Sequence, residues 1–265
     1  MTPSADPTQL KSCCASLYES DFARLLLGDS FHPGGQRLTV RLGEHLHLRP
    51  GLRVLDVASG KGESAIVLAH KFGCEVVGVD FGAENVRQSI MRADATTVAH
   101  LVSFVTGDAE HLDFPSASFD AIVCECAFCT FFDKSAAASE FARVLRPGGL
   151  IGLSDLTRSG PLPQALEGLL SWISCIADAR PVAEYAAYLE GAGFRIGAIE
   201  PHDSALADMA RDIQNKLLGI ELMIKLGKLT LPVPDLDQSK QFARAASQAI
   251  QQGVLGYSLI TATLC

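Results

Sequence analysis

From Arg53 onward the chain alternates short apolar runs with longer amphipathic ones. Arg53 to Val57 is apolar, too short for a helix and ended by Ser59-Gly60-Lys61-Gly62, which predicts a buried strand running into a turn. Glu63 to Phe72 repeats its apolar residues at helical spacing. Glu75 to Val79 predicts a second strand, Ala83 to Ala99 a second helix, and Leu101 to Val105 a third strand. Phe119 to Val123 predicts a fourth strand, followed by a helix over Lys134 to Leu145. A tight turn at Arg146-Pro147-Gly148-Gly149 then leads to a fifth strand over Leu150 to Ser154. Strict alternation of this kind predicts an α/β fold, a doubly wound Rossmann-like and mostly parallel sheet.

The flanks differ. Upstream, a helix is expected within Leu10 to Leu27, a break at Gly28 to Gly35, and a helix over Gln36 to His45. Downstream, Pro163 to Ile176 and Val182 to Ala192 predict helices, and Phe194 to Glu200 a strand. Residues 203–228 and 237–252 predict two helices around the linker Leu231-Pro232-Val233-Pro234, and Tyr257 to Leu264 a closing strand. We therefore expect an N-terminal helical cap (1–50), a ligand-binding core (51–155) and a C-terminal part (156–265). That last part completes the sheet and carries a helical insertion before the last strand, either a substrate lid or dimer surface or simply packing mass.

Composition narrows the class. The chain has 265 residues, 48% hydrophobic and 20% charged, ordinary for a globular protein. Its net charge of −8 and the lack of a Lys/Arg block argue against a nucleic-acid partner or an anionic membrane surface. No apolar run approaches the roughly 18 residues of a membrane span. The N-terminus lacks a basic, apolar leader, so the cytoplasm is the expected compartment. Eight cysteines, at 13, 14, 74, 124, 126, 129, 175 and 265, are too few for a disulfide scaffold. In a reducing compartment, a cluster of them points to thiol chemistry or soft-metal binding.

The turn after the first strand, Asp56-Val57-Ala58-Ser59-Gly60-Lys61-Gly62, lets backbone approach a ligand at a helix N-terminus. Asp80 ends the second strand, where a carboxylate can accept both hydroxyls of a ribose. Together they point to an adenosine-containing ligand. NAD wants a third glycine where Ala65 stands, and Asp56 would repel a pyrophosphate while suiting the ammonium of a methionine moiety. After the third strand comes Gly107-Asp108-Ala109-Glu110-His111, whose Asp108 can accept from an adenine amino group.

With Phe119-Asp120-Ala121-Ile122-Val123 and Arg146-Pro147-Gly148-Gly149 completing the order, residues 50–155 resemble the class I S-adenosylmethionine-dependent methyltransferases. The resemblance implies S-adenosyl-L-methionine as cofactor. The backbone of Ala58, Ser59, Gly60 and Gly62 would lie on the methionine part, Asp80 on the ribose, Phe81 beside the adenine, and Asp108 with Ala109 at the adenine edge. Ala58 departs from the family's glycine and is tolerated where its φ is negative. In relatives with a His-x-Gly-Gly stretch, a segment like Phe31-His32-Pro33-Gly34-Gly35 with Thr39 caps the methyl end. The other reading of that stretch is a helix-breaking turn, and His32 is also open to a role as general base.

Val123-Cys124-Glu125-Cys126-Ala127-Phe128-Cys129 follows the fourth strand, at the carboxyl end where doubly wound sheets bind ligands. If the strand persists, alternation puts Cys124 and Cys126 on one side. Cys124 is expected to line the cofactor crevice through its backbone; Cys74 and Cys265 are expected to pack as small hydrophobes. A structural zinc site would want paired cysteine spacing, so no resident metal is expected.

The placement further resembles the arsenite methyltransferases. In that group a cysteine follows the fourth strand shortly before an Asp-Lys pair, as Cys126 precedes Asp133-Lys134. A second comes after the fifth strand, before acidic and aromatic residues and a Gly-Phe end, as Cys175 precedes Glu184-Tyr185 and Gly193-Phe194. The resemblance implies methylation of arsenite or methylarsenite held by Cys126 and Cys175, with Cys129, Cys13 or Cys14 as further ligands, and glutathione or another thiol as reductant. The group's upstream cysteine has no counterpart in Pro33-Gly34-Gly35. A methyltransferase for an organic acceptor, with His32 or Glu125 as base, stays open, as do an NAD-dependent oxidoreductase and a non-catalytic thiol or metalloid sensor.

Overall fold

The computed structural model describes residues 32–166, 175–228 and 235–265. The helix expected within Leu10 to Leu27, Cys13 and Cys14, most of the segment 163–176, and the linker 231–234 lie outside these residues.

Seven strands form one sheet in the order β3-β2-β1-β4-β5-β7-β6. They are β1 (Arg53–Val57), β2 (Glu75–Asp80), β3 (Val102–Thr106), β4 (Phe119–Glu125), β5 (Leu145–Arg158), β6 (Phe194–Pro201) and β7 (Leu255–Leu264). The first five run parallel; β7 lies antiparallel between β5 and β6. The doubly wound architecture is the expected one. Chain order moves outward from β1 to β3 and then returns to β4, so the crevice of the sheet opens between β1 and β4.

Seven helices are described: α1 (Gly35–His45), α2 (Glu63–Phe72), α3 (Ala83–Asp94), α4 (Lys134–Val144), α5 (Val182–Gly191), α6 (Asp203–Lys225) and α7 (Leu236–Gln251). Strand residues alternate between two cores, as a two-residue period requires. Val54, Val76, Ala121 and Val123 face α1–α3 with Leu42, Leu68 and Phe104. Leu55, Val77, Ile122 and Ile151 face the other side, with Phe141, Tyr185 and Leu206. A sheet covered on both faces explains why its strands read as continuous apolar runs. The expected insertion is present as α6 and α7, between β6 and β7.

Three elements differ from expectation in their boundaries, each for a local reason. The helix predicted to Ala99 ends at Asp94, where the Thr96 hydroxyl donates to the Ala93 carbonyl and competes with the helix ladder. β5 begins before its glycine turn because Leu145 already pairs with Phe119, and it runs on to Arg158 because β7 pairs with it that far. The helix predicted to reach Ile176 does not: Gln164–Leu166 is a single 3-10 turn, and Cys175 has φ +63°, outside any helix. Among the described residues no helix is long and apolar enough to cross a membrane.

Candidate active site

The turn after β1 packs tightly. The Ser59 N–H donates to the Val79 carbonyl at 3.0 Å and the Gly62 N–H to the Ser59 carbonyl at 2.9 Å. Gly62 has φ +76°, and a Cβ there would stand 2.6 Å from the Phe104 ring and 2.7 Å from Ser89, so only glycine fits. Ala58 corrects the sequence reading: its φ is +57°, not negative. It sits in the region where a Cβ crowds the following carbonyl, at a cost of about 1–2 kcal/mol.

Asp80 joins the turn to the end of β2. Its Oδ2 accepts the Gly60 N–H at 2.8 Å; its Oδ1 accepts the Gly82 N–H at 2.8 Å and the Asn85 amide at 3.1 Å. Phe81 is 37% exposed beside it. At the end of β3, Asp108 accepts the Glu110 N–H at 3.0 Å and Ala109 packs on the core. Asp56 is buried. Burial first, then the neighbouring Glu125 and Asp80 charges, push its carboxyl well above the usual range, while the Ala65 N–H holds it partly back. Its Oδ2 has no hydrogen-bond partner, nor do Ser59 Oγ and Asn85 Oδ1. Buried polar atoms seldom stay unpaired without cause. Carboxylates for hydroxyls and an ammonium, orphaned polar atoms and a glycine turn under a helix N-terminus fit S-adenosylmethionine.

The thiols divide. Cys124 packs wholly buried in the core, with its backbone paired to Val57 of β1. Strand geometry ends at Glu125, and Cys126 has φ +52°; the expected alternation of Cys124 with Cys126 therefore fails. The turn swings Cys126 toward Cys175, whose Sγ lies 3.5 Å from the Cys126 carbonyl oxygen. The Cys175 thiol meets those of both Cys126 and Cys129. That contact, with burial, raises the Cys126 thiol; burial and then the same contact raise Cys129. All three sit in apolar surroundings with the buried Asp155, which accepts the Cys129 N–H at 2.9 Å. Burial and the Cys175 charge push the Asp155 carboxyl up to about 7. Among the described residues no three His, Cys, Asp or Glu side chains are arranged to hold a metal ion. Cys74 packs as expected, its thiol pushed up to about 11 by burial. Cys265 does not: it is exposed, because β7 ends before it.

Two loops carry these thiols, and an ion pair between the buried Lys134 and the half-buried Asp178 joins them. Lys134 Nζ lies 2.5 Å from Asp178 Oδ2 and donates to the Phe131 carbonyl at 2.9 Å. The Asp178 loop is also pinned to β5: the Arg180 N–H donates to the Tyr185 hydroxyl, which donates to the Leu156 carbonyl at 2.9 Å. Asp133 caps α4 by accepting the Ala136 N–H at 2.8 Å.

Glu125 gathers a second set of contacts. Its Oε2 accepts the Ser64 hydroxyl at 2.6 Å and the Thr39 hydroxyl at 3.0 Å, with His32 Nε2 at 3.7 Å. The His32 stretch is thus more than a helix break, because its imidazole turns in to the carboxyl end of β4. Sequence reading missed Asp155, the Lys134–Asp178 pair and Ser154. The available signal was a lone acid ending an apolar strand, Leu153-Ser154-Asp155.

The model of a methyltransferase domain matches residues 55–153. Methyltransferase GfsG of Streptomyces halstedii is 32% identical over 62% of this chain and 60% of its own length. The arsenite methyltransferase of Halobacterium salinarum is 30% identical over 60% of this chain and 41% of its own length. The chain thus spans less than two thirds of either relative. Phosphoethanolamine N-methyltransferase 2 of Haemonchus contortus, solved with S-adenosyl-L-methionine, superposes with a TM-score of 0.81 at 19% identity, over 99% of this chain and 60% of that one.

Proposed function

We propose that this chain, a class I methyltransferase in fold with its methyltransferase domain at residues 55–153 and S-adenosylmethionine as cofactor, methylates a trivalent arsenical held by thiols. The observation that carries the reading is the meeting of the Cys126 and Cys129 thiols on Cys175, beside the crevice between β1 and β4. Trivalent arsenic is thiophilic, and thiolates are the soft ligands a protein has.

When bound, S-adenosylmethionine supplies an electrophilic methyl group. Asp56, Asp80 and the backbone of the glycine turn hold the cofactor. Cys126 and Cys175, with Cys129, take arsenite: each thiol forms an As–S bond and its proton leaves with a hydroxide as water. Raised thiols are no obstacle, since the hydroxide carries the proton away. The thiols would hold arsenic with its lone pair free to take that methyl group, the electron pair of the methyl–sulfur bond staying with the cofactor's sulfur. Two thiols such as glutathione would then return arsenic to the trivalent state, supplying two electrons and leaving as their disulfide. Holding both reactants in line is the chain's main contribution, and such positioning is worth roughly 7–11 kcal/mol.

A second reading is methylation of an organic small molecule at O, N, C or S. What favours it is His32 Nε2, 3.7 Å from the buried Glu125 carboxylate, an arrangement able to take a proton from an acceptor. Incubation with S-adenosylmethionine, glutathione and arsenite, scored by mass spectrometry, tests the two. Methylated arsenic is the expected product. Its absence, with methyl transfer to an organic acceptor that His32→Ala abolishes, would establish the second reading.

A further inference from the structure

Beside the unpartnered Asp56 oxygen stands a second buried carboxylate for which neither the glycine turn nor the thiols give a use. Glu125 ends β4, one residue past Cys124, whose β1 partner is Val57. Its side chain is 4% exposed. Oε2 is filled by Ser64 from the first turn of α2, Thr39 from α1 and the nearby His32. Oε1 accepts only a long hydrogen bond, from the Ser154 hydroxyl at 3.4 Å, which in turn accepts the Tyr257 OH at 2.9 Å. Val123, two residues before Glu125, pairs with Asp56 across β1 and β4, and the Glu125 charge raises the Asp56 carboxyl. Two carboxylates out of water and close together are costly unless a cation lies between them. Among the described contacts of Glu125 the only basic group is His32, on the far side from Ser154.

We propose that Glu125 is a cofactor-contacting residue: with Asp56 it forms an anionic clamp for the α-ammonium of the methionine moiety. Hydroxyls from α1 and α2 hold the carboxylate in place. The clamp couples α1 to cofactor binding, because Thr39 reaches Glu125 only when α1 is docked on the sheet. The proposal rests on S-adenosylmethionine being the cofactor.

The test is calorimetric titration of the full chain with S-adenosylhomocysteine and with 5′-methylthioadenosine, which keeps the adenosine and sulfur and lacks the amino-acid end. Glu125→Gln keeps the shape and removes the charge. It should weaken S-adenosylhomocysteine about tenfold, the loss of one charge-assisted hydrogen bond, and leave methylthioadenosine unchanged. Thr39→Val, which removes only the hydroxyl that orients Oε2, should show the same selectivity at about threefold. Equal losses for both ligands, or no loss for either, overturn the clamp and leave the cofactor standing. Failure of the unaltered chain to bind S-adenosylhomocysteine overturns the cofactor and the clamp with it.

Discussion

The ammonium of Lys134 lies 2.5 Å from the carboxylate of Asp178, and that contact joins the two loops that bring Cys126 and Cys175 together. Lys134 opens the helix after the first loop, and Asp178 stands three residues past Cys175. The pair buries a charge to fix the relative position of two thiols from distant parts of the chain.

Removing Asp178 leaves the buried Lys134 ammonium without its carboxylate, whereas removing Lys134 leaves Asp178 still paired with Arg180. Asp178→Ala should destabilise the protein by about 3 kcal/mol, while Lys134→Met, which fills the space with apolar volume, should cost less. Denaturant unfolding measures both. If the pair positions the thiols, Asp178→Ala should also weaken arsenite binding while S-adenosylhomocysteine still binds.

Replacing Cys126 or Cys175 with serine removes a soft ligand and keeps its size. Each change should lower arsenite methylation about a hundredfold or more and leave cofactor affinity unchanged. Cys74→Ser and Cys265→Ser, in a packing site and at an exposed end, should keep full methylation. Full turnover in both Cys126→Ser and Cys175→Ser would remove the arsenical from consideration.

Ala58→Gly should stabilise the fold. Relief of the left-handed strain at φ +57° is worth about 1–2 kcal/mol, and the extra freedom of glycine in the unfolded chain takes back about 0.5–1. A net gain near 0.5–1 kcal/mol should appear as a rise in Tm, and cofactor affinity should not fall. A lower Tm would mean that Ala58 makes contacts outweighing its strain.

Asp155 gives a pH signature. Its carboxyl is raised from 3.8 to about 7, so between those values the folded state holds a proton that the unfolded state has lost. Stability must therefore decline as pH rises through that window, and the full penalty, a few kcal/mol, applies above it. In Asp155→Asn this decline should disappear. Its overall stability can be lower, because an amide cannot accept both the Cys129 and Leu156 N–H groups, but the slope is the readout. An unchanged slope between pH 4 and 7 would exclude Asp155 as its origin.

Much of this molecule could be read from sequence wherever information was local and periodic. The first three strands, α2 and the glycine turn followed from run length and punctuation, and the acids at positions 56 and 80 from their places at the ends of the first two strands. What could not be read depended on backbone turns and long-range partners. Nothing in Cys124-Glu125-Cys126 says that the strand stops at Glu125 and that Cys126 turns the other way; the carbonyl of Ser154, which accepts the Cys126 N–H at 2.6 Å, decides that. The sign of φ at Ala58 was equally hidden, since it is imposed by the packing of the turn against Val79. Lys134 and Asp178 each look like ordinary surface charges until tertiary structure buries them.

The position of β7 governs the order in which the molecule can be built. It lies between β5 and β6, and among the described residues β6 has no other neighbour. When β6 leaves the ribosome it has no place in the sheet, and it must wait while α6 and α7 are synthesised. Until then β5 presents an open edge on the strand that carries Ser154 and Asp155, the residues that hold Cys126 and Cys129 in place. The half of the sheet that houses the glycine turn can assemble first. The thiol pocket is completed only by the strand that comes last.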